Sequence, residues 1–217
     1  MNHIRNNNKK NSHHIINEVG QQADNEGLAI LIKANSTEYI AKKDALDNLT
    51  DLSVVDDIAK TAKDDWIRLE AAIKCRNNKI LNEFAKCHHD QRIRLEAAIE
   101  LKTEFLLCEI AKSAQDDYVQ EVALNHIADK ELLENIVING NNEKIRADAA
   151  IMLGDKTIIK ELAGGLKDQA LKFKLASFIN DSRLMKDLYE NTVESALKEK
   201  TEKWFRNYFS VEEKTFD

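Results

Sequence analysis

The chain has 217 residues, 43% of them hydrophobic and 32% charged, with a net charge of −6 and three cysteines. The acidic balance argues against sequence-independent nucleic-acid binding, whose affinity comes from Lys and Arg displacing phosphate counterions. Cys75, Cys87 and Cys108 are too few and too irregular for a disulfide framework, and no apolar run reaches the roughly 18 residues of a membrane helix. The Asn-rich start has no apolar signal core, so the expectation is a cytoplasmic protein without a membrane span.

In chain order, residues 1–11 are polar and aperiodic, with Asn6-Asn7-Asn8-Lys9-Lys10-Asn11 at their centre, and read as a disordered tail. From Ser12 onward the sequence repeats at a stride of 26. Ile15, Ala41, Ile67, Ile93, Val119, Ile145 and Leu171 form one apolar column, and four residues later stands a second, mostly alanine, as at Ala45, Ala71, Ala97, Ala123 and Ala149. Positions i, i+4 and i+8 make one stripe of a helix, helix A, and alanine in its middle permits close helix approach. A second stripe, helix B, runs through Leu28, Val54, Ile80, Leu106, Leu132, Ile158 and Leu184, with Ile32, Ile58, Phe84, Ile110, Ile136, Leu162 and Leu188 four further on.

Each run is preceded by a column of helix-starting residues. For helix A these are Ser12, Glu38, Asp64, Asp90, Asp116, Asn142 and Asp168; for helix B, Asn25, Asp51, Asn77, Thr103, Asp129, Asp155 and Asp181. Their short side-chain oxygens accept from the free N–H groups of a first turn. Units of 26 residues that cannot bury their apolar faces alone must stack, so the expected fold is all-α: a right-handed α-solenoid of about seven helix-turn-helix repeats over residues 12–192. Proline is absent, where about ten would be average. Residues 193–217 follow, with Val193, Ala196, Leu197, Thr201, Trp204, Phe205 and Tyr208 at helical spacing, and read as a C-terminal capping helix and tail.

Ile-Arg-x-x-Ala-Ala preceded by Asp, as at Asp64 to Ala72 and Asp90 to Ala98, and followed by a Leu-Leu-x-x-Ile-Ala run, resembles the HEAT-repeat superfamily, in its short bacterial form. That resemblance implies a ladder between units from the acidic residue and arginine of helix A. The matching pairs are Asp64 with Arg68, Asp90 with Arg94 and Asn142 with Arg146, while Lys42, Gln120 and Lys172 replace the arginine elsewhere and imply a weaker ladder there. It also implies a concave surface lined by helix B. HEAT-like proteins include bilin lyases and alkyl-base DNA glycosylases, so an enzyme of that class is the alternative to a non-catalytic protein- or peptide-binding scaffold.

Cys87-His88-His89-Asp90 is the one metal-like cluster, but it falls where other units carry ordinary turn residues and no second cluster completes four ligands; no metal, cofactor or catalytic residue is assigned. Charges on the outer positions of helix B alternate in sign and cancel. What stands out is apolar residues in polar columns: Phe105 among Ser53, Lys79 and Glu131; Cys108 among Asp56, Asn82 and Glu134; Ile138 among Lys60, Lys86 and Lys112. These three are expected to face outward as a protein-binding patch, rimmed by Glu83, Lys86, Glu109 and Lys112, with local repacking at the turn as the alternative. Trp66 and Tyr118, with Arg92 between them in register, read as packing between repeats, with a convex binding ridge as the alternative.

Overall fold

A computed structural model describes residues 25–35 and 37–212. The tail assigned to residues 1–11 and the first A helix from Ser12 lie outside the described residues. The chain divides into two compact units, one ending at Leu106 and the other beginning at Leu107. In chain order the first holds α1 (Asn25–Lys33), α2 (Tyr39–Asn48), α3 (Leu52–Thr61), α4 (Asp65–Cys75), α5 (Asn78–Cys87) and α6 (Gln91–Glu100), and α7 (Glu104–Ser113) crosses the boundary. The second continues with α8 (Asp117–Asn125), α9 (Lys130–Asn139), α10 (Glu143–Leu153), α11 (Lys156–Gly165), α12 (Gln169–Phe178), α13 (Ser182–Asn191) and α14 (Ser195–Glu212). No strand occurs among the described residues.

Odd-numbered helices up to α13 are the B series and even-numbered ones up to α12 the A series. Most helices pack on the next, and many also on the next but one, and the most extensive contacts join a B helix to the A helix after it, as in α3 with α4 and α9 with α10. The columns explain this. Ile67, Ile93 and Ile145 are fully buried within A helices, as are Ala71, Ala97, Ala123 and Ala149, while Ile58 and Phe84 in the first unit and Ile110 and Ile136 in the second are buried on the B side. A larger side chain in the alanine column would force the backbones apart.

The capping columns act as the composition requires. Asp51, Asp64, Asn77, Asp90, Asp116, Asp129, Asn142, Asp155, Asp168 and Asp181 each accept from a first-turn N–H. Three members differ. Glu38 makes no side-chain cap bond, its extra methylene carrying the carboxylate past the first turn. Thr103 donates its hydroxyl to Leu101 O at 3.3 Å. Asn25 lies inside α1 and accepts instead from Thr50 N at 2.9 Å and Asp51 N at 3.2 Å, tying one unit to the cap of the next.

Several A helices end in a left-handed residue, with Arg76 at φ 55°, Lys102 at 53°, Gly154 at 69° and Asn180 at 56°. Asn77 N then reaches back to Ala72 O at 2.8 Å and Asp181 N to Ala176 O at 2.9 Å, which satisfies carbonyls the helix leaves open. Gly154 and Asn180 suit that conformation; Arg76 and Lys102 hold it at a cost of order 1 kcal/mol each.

The arginine ladder takes a different form from the expected one. Asp64, Asp90 and Asn142 are occupied as caps. Arg68 Nε donates to Ala59 O at 3.2 Å and Arg146 Nε to Val137 O at 2.7 Å, so these arginines close the C-terminal ends of the preceding B helices. Arg68 also meets Asp65 at 3.2 Å and lies 4.9 Å over the Phe84 ring. The Nε of Arg94 is buried without a hydrogen-bond partner among the described residues. Links between successive A helices come instead from lysine: Lys43 with Glu70 at 2.6 Å, Lys144 with Glu121 at 2.7 Å, and Lys174 with Asp148. Where glutamine replaces the arginine, the link is present. Buried Gln120 donates to Asn141 Oδ1 at 2.8 Å and accepts from Asn142 Nδ2 at 2.9 Å.

At the C-terminal end, Leu197 of α14 packs with Ala176, Met185 and Leu188, and Trp204 and Phe205 lie against that cluster. Thr201 is fully buried and satisfied by Leu197 O at 2.7 Å. Val193, expected in the apolar stripe, is 94% exposed. It sits in the turn before α14, where the helical period has not begun; its neighbour Thr192 is buried in its place and donates to Gln169 Oε1 at 2.5 Å.

Candidate functional site

The B helices carry the candidate residues, which fall in both units. Phe105 is 62% exposed at the start of α7, in the first unit. Ile138 is 72% exposed at the end of α9, in the second. Cys108 does not face outward: it is 1% exposed, with its thiol 3.6 Å from Leu132 O. Its long column mates reach past their neighbours into water, whereas a short side chain on the same Cβ direction is covered by them. Burial pushes the Cys108 thiol up, so it stays protonated.

The rim residues lie on α5 and α7. Glu109 pairs with Lys112 at 2.6 Å, and Lys112 reaches Asn135 Oδ1 at 2.9 Å. Glu83 and Lys86 are both exposed, and no ion pair joins them among the described residues. Tyr118, expected to pack between repeats, is 65% exposed, while Trp66 is half-buried and Arg92 exposed.

Ile138 opens onto a groove that sequence reading did not anticipate. Val137 and Ile138 of α9 form one wall and Ile158 and Leu162 of α11 the other, around a cavity of about 330 Å³. Arg146 of α10 lies between them, and Glu134 and Glu161 stand at the edge. The guanidinium is fixed by its Nε bond to Val137 O, and its terminal nitrogens have no hydrogen-bond or ion-pair partner among the described residues. The column of Ile138 breaks a second time in the sequence. One stride after Ile138, where Lys60, Lys86 and Lys112 stand in other units, comes Gly164, followed by Gly165, and no atom lies within 4 Å of where a side chain at Gly164 would begin.

The histidine turn is less solvated than its sequence suggests. His88 is packed edge-on against Phe84 at 5.1 Å and stacked on His89 at 4.4 Å. Its Nδ1 accepts from Asp90 N at 3.1 Å, which places the proton on Nε2, 3.2 Å from Asp65 Oδ2. Donor atoms of Asp65, His88 and His89 lie within 4.8 Å of one another. His88 Nδ1 is committed to Asp90 N, and Asp65 also meets Arg68 at 3.2 Å, so these side chains bring α4 against the α5–α6 turn.

Carboxylates with displaced titration are all stabilised as anions. Lys60 holds Asp56 down, Lys144 holds Glu121 down, Lys160 holds Asp181 down, and the backbone N–H groups of Asp168 and Lys167 do the same for Glu143. These groups serve as struts and caps. No helix among the described residues is long and apolar enough to cross a membrane. No family model, curated protein or solved structure matches the chain.

Proposed function

We propose that the chain is a non-catalytic, cytoplasmic scaffold that binds a protein or peptide through its B helices, built as a HEAT-like, right-handed α-solenoid of about seven repeats and closed by α14. The observation carrying this reading is the apolar groove between α9 and α11, with Ile138 standing 72% exposed at its wall. An isoleucine so exposed costs solubility and gives nothing to the core, and a concave apolar surface with a few convergent polar groups is the usual form of a binding site. Peptides seated there would cover Ile138 and Ile158 together.

A peptide array probed with purified protein tests this. Ile138→Ser should weaken the positive peptides by about 2 kcal/mol or more, as removal of a central anchor does, with an unchanged helical melt. Undiminished binding by the folded variant would remove the groove as the site.

A further inference from the structure

The charges around the groove define the chemistry of its occupant, on the reading that it is a peptide site. No lysine is among the described residues lining the groove, and Lys160 on α11 and Lys112 on α7 are engaged elsewhere, with Asp181 at 2.7 Å and Glu109 at 2.6 Å. Glu134 on α9 and Glu161 on α11 are exposed, and neither has an ion-pair or hydrogen-bond partner among the described residues. Two free carboxylates against the single Arg146 leave the lining acidic, on a chain whose own net charge is −6. Arg146 imposes a second condition. An occupant that excludes water from its terminal nitrogens must supply oxygen acceptors, and every peptide backbone carries them as carbonyls. The volume of about 330 Å³ is at the lower end of the range for ligand pockets, enough for a short segment rather than a folded surface.

From these we infer that the groove takes a short basic, aliphatic peptide segment. One Leu, Ile or Met side chain enters between Ile138 and Ile158, Lys or Arg residues on either side pair with Glu134 and Glu161, and a backbone carbonyl accepts from Arg146. The acidic edge selects the flanks and steers the encounter, while the aliphatic anchor supplies affinity.

Fluorescence anisotropy of the full chain with three short fluorescein-labelled peptides decides the matter: one with Leu flanked by Lys, one with the same Leu flanked by Glu, and one with Ser flanked by Lys. The Lys-flanked Leu peptide should bind at least about tenfold more tightly than either other, a difference of about 1.4 kcal/mol. Glu134→Gln with Glu161→Gln should weaken it about tenfold, and Glu96→Gln with Glu199→Gln, the same charge change elsewhere, should leave it within about twofold. Preference for the Glu-flanked peptide, or equal weakening by both pairs of substitutions, would overturn the inference; if Ile138→Ser still weakened binding, the groove would remain a peptide site of other specificity. Binding by none of the peptides would overturn the inference as well, and an array without Ile138-dependent peptides would separately sink the reading it rests on.

Discussion

Arginines at one register position have three different environments, and each difference has an energetic consequence. Arg68 satisfies Ala59 O, meets Asp65 and covers the Phe84 ring, whereas Arg94 leaves a buried Nε unpaired. A buried donor without a partner carries its desolvation cost uncompensated, so an apolar replacement of similar length is neutral or stabilising there and harmful where the bonds exist. Arg68→Met should cost about 1–2 kcal/mol in urea unfolding, and Arg94→Met should stay within about 0.5 kcal/mol or gain stability. Equal losses would show that the two arginines share one role after all.

Among the elements, A and B helices were legible because their determinants are local. A cap oxygen acts within three residues, and an alanine column acts through the one helix it allows to approach. Residues whose fate depends on neighbours in space were not. Cys108 shares a polar column yet is covered by surrounding side chains, and the role of Gln120 depends on Asn141 and Asn142 meeting it from the next unit. Ile138 was visible as a break in its column, but Arg146 and Ile158, which give it a site, lie on two other helices. The closing helix α14 was legible as an amphipathic run, and its apolar stripe covers Met185 and Leu188. Deleting residues 195–217 should therefore bare that cluster, lower the melting temperature and drive self-association in light scattering. A truncated chain that stayed monomeric with an unchanged melt would deny α14 any closing function.

For the whole molecule, the ion pairs predict the shape of the stability curve with pH. Asp56, Glu121, Glu143 and Asp181 titrate below their unfolded values of about 3.9–4.3, so their contribution is complete above that range and is lost as pH falls through the folded values. Lys43, Lys60 and Lys144 are held up by Glu70, Asp56 and Glu121. Their contribution is complete below an unfolded value of about 10.4 and is lost as pH rises through the folded ones. Burial holds the Cys75 and Cys108 thiols up as well, which costs stability once the unfolded thiol ionises at about 8.5, so melting temperature should be level from roughly pH 5 to 8 and fall on both sides. A decline that set in near neutrality would show that other groups govern it.

Gly164 gives the surface of α11 an unusual evolutionary freedom. Helical glycine is about 1 kcal/mol poorer than alanine, and nothing obstructs a side chain at this position, so almost any codon change there strengthens α11 rather than harming it. Most binding walls can be reshaped only at the expense of the core behind them. Here a single exposed position, one stride on from Ile138, can take a charge or an apolar side chain with no core to disturb, and descendants of this chain can change that surface without first becoming less stable.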